Sequence, residues 1–200
     1  MERRDALKNI GLSLGAITMS STLASLIQSC STGEPTWMPK FFSVDEAELV
    51  EKTLALILPS SPDIPGASEL NLAQFIDGFI DKIAKQAEKD EVKAGIGLYL
   101  STTLISTEKE KVTDLSTEDL DSRLAYYLKA DTAQQKAWND EDGDDASNLS
   151  ILKSLRGRGI WAFKISQEIG ENVLAYAPVP GEQKGCIDLQ EATGGKAWSL

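Results

Sequence analysis

Apolar residues between positions 72 and 83 recur with the period of an α-helix, and this pattern constrains the fold more than any other part of the sequence. They are spaced at i, i+3, i+4, i+7, i+8 and i+11, and they are Leu72, Phe75, Ile76, Phe79, Ile80 and Ile83. The charged residues Asp77, Asp81, Lys82 and Lys85 lie off this stripe. The segment is therefore predicted to be a helix with one apolar face, which must pack against other elements.

Several further segments show helical signals. One predicted helix follows the capping box Ser43–Glu46 and ends at Pro59, and a second lies within Val92–Leu104. A third is capped by Thr117 and has Leu120, Leu124, Tyr127 and Leu128 on one face. A helical turn is predicted over Thr132–Trp138, and a long helix over Leu149–Leu174. Gly95 and Gly97 weaken the prediction of the helix within Val92–Leu104, because glycine disfavours a helix interior. No strand pair is predicted, so the fold class is all-α, with a small helical domain at residues 43–174.

The last 26 residues, 175–200, change character. They are rich in proline and glycine and lack helical periodicity, so we predict an extended C-terminal arm. Aromatic residues in such an arm either cover the protein's own core or anchor it on another subunit, because both arrangements bury aromatic area. The candidate residues for a partner interface are Tyr176, Pro178, Pro180 and Trp198.

The N-terminus has the composition of an export signal. Arg3 and Arg4 are followed by Leu7 and Lys8, and then by an uncharged stretch over residues 9–29 that is rich in Gly, Ser, Thr and Ala. The arginine pair resembles a twin-arginine signal, which exports proteins already folded. Ala6 stands where phenylalanine is usual in such signals.

Cys30 follows Leu26-Ile27-Gln28-Ser29, which resembles the cleavage site of a bacterial lipoprotein. We therefore predict a signal peptide at residues 1–29, lipidation of Cys30, and a tether over residues 30–42. Two alternatives remain open: an ordinary cleaved signal, and an uncleaved membrane anchor over residues 10–27. The predicted location is the periplasm or cell envelope, with attachment to the membrane through the lipid.

The composition excludes several kinds of self-contained chemistry. The chain has no histidine, which removes a Ser-His-Asp triad and the commonest zinc ligand. Its two cysteines, Cys30 and Cys186, are too few for an iron–sulfur cluster. We therefore predict no catalytic, cofactor-binding or metal-binding residues. Because the net charge is −11, nucleic acid is not an expected partner.

Three local motifs have ordinary structural explanations. Gly157, Gly159 and Ala162 match a dinucleotide fingerprint in form, but no strand precedes them, and we interpret the glycines as helix-packing positions. The acidic run Asp140–Asp145 lacks the spacing of a calcium-binding EF-hand loop and is interpreted as a solvated loop. Cys186 is interpreted as a small buried apolar residue.

Several short motifs, in this order along the chain, resemble the gluconate 2-dehydrogenase subunit 3 family. They are the Arg3-Arg4 leader, Cys30, Leu56-Ile57-Leu58-Pro59, Pro65-Gly66-Ala67, Phe75-Ile76-Asp77, Ala175-Tyr176-Ala177-Pro178-Val179-Pro180-Gly181 and Gly194-Gly195-Lys196-Ala197-Trp198-Ser199-Leu200. The resemblance spans most of the mature chain, although residues 93–148 contribute little to it.

The resemblance implies a small helical subunit without a cofactor of its own. Its partner would be a large FAD-containing dehydrogenase subunit of the glucose–methanol–choline oxidoreductase type, often with a haem-containing cytochrome c as electron acceptor. The small subunit would carry the export signal for both proteins and support maturation of its partner. The alternatives are a free-standing envelope lipoprotein that binds a ligand or acts as a scaffold, and a self-sufficient enzyme.

Overall fold

The computed structural model of the chain describes residues 37–179, 181 and 185–199. The described helices are α1 (Val44–Ile57), α2 (Leu72–Lys82), α3 (Gln86–Thr107), a 3₁₀ turn (Val112–Asp114), α4 (Thr117–Leu128), α5 (Thr132–Glu141), α6 (Asp144–Ile165), a π-helix (Glu168–Val173) and the short α7 (Leu189–Thr193). Among these residues, β pairing is limited to two isolated bridges. The predicted all-α fold is confirmed.

Helix α1 begins and ends where its sequence predicts. The Ser43 hydroxyl accepts a hydrogen bond from the Glu46 amide, and the Glu46 carboxylate accepts one from the Ser43 amide at 2.7 Å. This capping box satisfies amides that the first helical turn leaves without intrahelical partners. The helix ends at Ile57, before Pro59, because proline disfavours helical geometry in the residue that precedes it.

Helix α6 lies at the centre of the bundle and contacts each of the helices α1 to α5. Its sides are therefore buried against several partners, through Leu149, Ile151, Leu152, Leu155 and Ala162. Two glycines allow close approach. A Cβ at Gly159 would lie 2.6 Å from Leu54 Cδ2, and one at Gly95 would lie 3.0 Å from Ile151 Cβ. The helix-packing interpretation is thus confirmed for Gly159, whereas Gly157 faces open space.

The apolar stripe of α2 is only partly buried. Leu72, Ile76 and Ile80 lie in the core, but Phe75 and Ile83 are exposed. The stripe is wider than the face that α1 and α6 cover, so part of it faces outward. Asp77, which the pattern places on the polar side of the helix, is instead fully buried.

The carboxylate of Asp77 holds the segment that precedes α1. It accepts hydrogen bonds from the amides of Lys40, Phe41 and Phe42 at 2.7, 3.0 and 2.8 Å. Phe42 is buried in the core. The last residues of the predicted tether are therefore fixed on the helical body.

Three predicted boundaries are wrong. The cap of α4 is Ser116 rather than Thr117, and its hydroxyl accepts a hydrogen bond from the Asp119 amide. The acidic run over residues 140–145 is not a loop: it forms the end of α5, a left-handed residue at Asp142, and the first turn of α6. The final long helix starts at Asp144 rather than Leu149, because carboxylates favour a helix N-terminus. It breaks at Ser166, before the π-helix.

Candidate subunit interface

The C-terminal arm closes on itself through one short parallel pairing. The Ala175 amide donates to the Ala197 carbonyl at 2.9 Å, and the Ser199 amide donates to the Ala175 carbonyl at 3.0 Å. Between the two paired segments lies α7, which the sequence pattern did not predict. It is capped by the Asp188 carboxylate and ends at Gly194 in the left-handed conformation. The pairing therefore brings together the described residues at the two ends of the arm.

The aromatic side chains of the arm leave much of their surface open. Tyr176 is 47% exposed and Trp198 is 51% exposed, so neither covers the core as a buried side chain does. Pro178 is also exposed, while Pro180 lies outside the described residues. Cys186 is exposed as well, with a φ of 54°, so the prediction that it is buried is wrong.

A second exposed aromatic surface lies between α2 and α6. Phe75 and Phe79 pack on Trp161, with ring centroids 5.6 and 5.0 Å from the indole. Phe75 remains 43% exposed and Trp161 40% exposed. We call these three rings the α2–α6 patch. Such a cluster is a candidate contact surface, because aromatic residues supply much of the binding energy at protein interfaces.

A buried polar network joins α3, α4 and α6. The Asn148 side-chain amide donates to Thr102 Oγ1 and to Tyr127 Oη, each at 3.0 Å. Tyr127 in turn donates to Asp145 at 2.8 Å and accepts from Arg123 at 2.9 Å. The Asp145 carboxylate therefore orients the phenol. A surface cavity of about 340 Å³ borders this network.

The tyrosines in this region are held in the neutral form. Burial raises the pKa of Tyr99 to about 12, and burial together with the Asp145 hydrogen bond raises the pKa of Tyr127. A phenol with such a pKa stays protonated at neutral pH and does not serve as a general base. The network therefore links helices and does not resemble an activated catalytic group.

A groove of about 310 Å³ lies between α3 and α6. Serine side chains line its α6 side, and the ion pair of Arg158 with Glu88, at 2.6 Å, closes one end. The groove contains neither a nucleophile paired with a base nor an unpaired buried charge, so it supports no specific chemistry.

The described part of the chain has no metal-ligand cluster and no membrane-spanning helix. Across residues 37–199, with the gaps given above, no three Asp, Glu or Cys side chains are grouped as metal ligands. None of the described helices combines the length and apolar character that crossing a bilayer requires. The predicted export residues Arg3, Arg4, Leu7 and Lys8, and the predicted lipidation site Cys30, lie outside the described residues.

The α2–α6 patch was not among the residues predicted as an interface. The signal for it is present in the sequence, since Phe75 and Phe79 extend the apolar stripe of α2 beyond the width that one packed face requires. What the sequence does not indicate is that Trp161, some 80 residues later in the chain, lies beside them.

Comparison with known proteins gives one significant relationship. Searches of curated proteins and of solved structures find no significant match. The family model described as gluconate 2-dehydrogenase subunit 3 matches residues 44–181, which include α1 to α6 and the α2–α6 patch. The chain therefore belongs to the gluconate 2-dehydrogenase subunit 3 family, a family of small subunits of a dehydrogenase complex.

Proposed function

We propose that this chain is the non-catalytic small subunit of a membrane-associated, flavin-dependent sugar or sugar-acid dehydrogenase complex. In this role it aids export, maturation and anchoring of a large FAD-containing subunit of the glucose–methanol–choline oxidoreductase type. A cytochrome c that accepts the electrons belongs to the same proposal. The observation that carries it is the family match over residues 44–181.

The surface chemistry of the chain supports this proposal. The α2–α6 patch and the arm both present aromatic side chains to solvent. A monomeric protein gains nothing from exposing such clusters, whereas a subunit interface uses them as buried anchors. Substrate choice and the electron-transfer chemistry then reside in the partner.

The test is co-expression of the tagged full chain with a candidate large flavin-dependent dehydrogenase subunit from the same organism. We expect a yellow complex with flavin absorbance and dye-linked dehydrogenase activity, and neither property in the chain purified alone. A folded monomer that never retains a flavoprotein would support the free-standing lipoprotein instead. Substrate turnover by the isolated chain would establish a self-sufficient enzyme.

Export provides a separate prediction. Because the arginine pair is the recognised part of a twin-arginine signal, the double substitution Arg3→Lys with Arg4→Lys is expected to trap this chain and its partner together in the cytoplasm. Cell fractionation with dehydrogenase activity as the readout measures both proteins. Normal export of the double variant would assign the leader to the general secretory route.

Anchoring depends on Cys30 in this proposal. Cys30→Ala removes the thiol that would carry the lipid, so we expect the chain to move from the membrane fraction to the soluble periplasmic fraction. Cys186→Ala is the matched control, since that thiol lies in the exposed arm. Unchanged membrane association of the Cys30 variant would favour an uncleaved anchor over residues 10–27.

A further inference from the structure

Two glycines leave the helix backbone without a side chain beside the exposed rings of the α2–α6 patch. Gly78 is three residues after Phe75 on α2, and Gly157 is four residues before Trp161 on α6, so each lies one turn from an aromatic ring. A Cβ added at either glycine would meet nothing within 4 Å. Neither glycine is therefore required by packing among the residues that the structure describes.

A glycine in a helix interior lowers helix stability relative to alanine, because its backbone loses more conformational freedom on folding. At Gly95 and Gly159 that disadvantage has a visible reason, because these glycines admit the side chains of Ile151 and Leu54, whereas Gly97 has no such close contact. At Gly78 and Gly157 no atom of the described chain occupies the space. Another surface could therefore pack closely on the backbone at Gly78 and Gly157, as Ile151 and Leu54 pack at Gly95 and Gly159.

The rim of the patch carries positive charge. Lys82 follows Phe79 by three residues and pairs with Asp81 at 2.6 Å, so its charge is largely balanced. Lys164 follows Trp161 by three residues, is exposed, and forms no ion pair among the described residues. The chain as a whole has a net charge of −11. A second copy would bring the same two lysines and another acidic body to the contact, which electrostatic repulsion disfavours. An apolar surface with acidic residues at its edge is the complement of this patch.

The size of the patch fits the centre of an interface. A fully buried aromatic side chain removes about 150–250 Å² from solvent, and stable interfaces bury about 800 Å² on each partner. Three partly exposed rings therefore cannot form a whole interface, but they can supply its central anchors. The whole patch lies within residues 44–181, which match the family model, whereas Trp198 lies beyond that span.

We propose that the large dehydrogenase subunit docks on the α2–α6 patch, with an apolar, acid-rimmed element packed against the backbone at Gly78 and Gly157. This inference rests on the proposed function, because it takes the partner from it. It assigns the primary contact to a surface other than the C-terminal arm.

Two matched pairs of variants in the tagged full chain, co-expressed with the partner, test this assignment. Trp161→Ala is compared with Trp198→Ala, because the two indoles are similarly exposed, at 40% and 51%. Gly157→Ala is compared with Gly97→Ala in α3, where an added Cβ would meet only Glu46 Oε1 at 4.0 Å. The measurements are the dissociation constant for the purified flavoprotein and the melting temperature of each variant alone.

We expect Trp161→Ala to weaken partner binding by about tenfold or more, as for a central anchor. Gly157→Ala and Gly97→Ala should both raise the melting temperature by about 2–4 °C, because alanine favours the helix. Only Gly157→Ala should weaken partner binding. A variant that is more stable yet binds less well cannot owe its loss to misfolding.

The outcomes separate the two proposals. Weaker binding by both tryptophan variants upholds the patch and adds the arm to the interface. Wild-type affinity in both Trp161→Ala and Gly157→Ala overturns the patch while leaving the proposed function intact. Failure of the wild-type chain to retain any flavoprotein removes the proposed function and this inference with it. Self-association of the wild-type chain that Trp161→Ala abolishes would assign the patch to a second copy.

Discussion

Asp77→Ala is expected to destabilise the helical body strongly. The substitution removes the acceptor of three backbone hydrogen bonds, from the amides of Lys40, Phe41 and Phe42. Hydrogen bonds to a charged group contribute about 1.5–3 kcal/mol each, and amides left without partners in a buried site add a desolvation cost. Because water can reach the two part-buried amides, we expect a total loss of about 3–4 kcal/mol.

Thermal unfolding of the purified chain measures this effect. For a domain of this size, the expected loss lowers the melting temperature by about 10 °C. Asp81→Ala is the matched control one turn later on α2, because Asp81 only pairs with the exposed Lys82. That pair contributes little, so the control should unfold within a degree or two of wild type. Equal effects from the two substitutions would show that Asp77 does not hold the segment before α1.

Gly66→Ala is also expected to lower the stability of the folded chain, by less than Asp77→Ala does. A Cβ at this position would lie 2.5 Å from the Ser60 amide nitrogen, 2.8 Å from the Leu58 carbonyl oxygen and 2.8 Å from the Pro59 carbonyl carbon. All three are backbone atoms, so no side-chain rotation relieves the clash. The two segments must separate, which strains the hydrogen bond from the Ala67 amide to the Leu58 carbonyl, now 2.8 Å long. Forced overpacking of this kind costs about 1–3 kcal/mol.

Urea denaturation measures the loss at Gly66, and Gly78→Ala provides the control. An added Cβ at Gly78 meets no atom within 4 Å, so alanine there should raise the free energy of unfolding by about 0.5–1 kcal/mol. The free energy of unfolding is therefore expected to fall in Gly66→Ala and to rise in Gly78→Ala. Unchanged or raised stability of Gly66→Ala would contradict the clash with residues 58–60.

The helical elements were largely predictable because their signals are local. The capping box at Ser43, the stop at Pro59 and the spacing of Leu72, Ile76 and Ile80 each act within one or two turns of chain. The acidic run over residues 140–145 was misinterpreted for a related reason. Its composition is typical of a solvated loop, yet carboxylates are also favoured in the first turn of a helix such as α6.

The roles of Asp77, Phe75 and Trp161 could not be read from their neighbours in sequence. Periodicity placed Asp77 off the apolar stripe, but three amides from a distant segment make burial of its carboxylate favourable. Phe75 looked like a core residue, and only the packing of α2 on α6 shows that the core ends before it and that Trp161 joins it at the surface.

The sequence by itself determined the helical class of this protein, the approximate positions of its main helices and its family. These properties depend on spacing, capping and short motifs, which act over a few residues or are compared position by position. Only the tertiary structure decided which apolar residues remain outside the core and which charged residue lies within it. Those outcomes depend on contacts between segments far apart in the chain, and a local pattern contains no information about which surfaces meet.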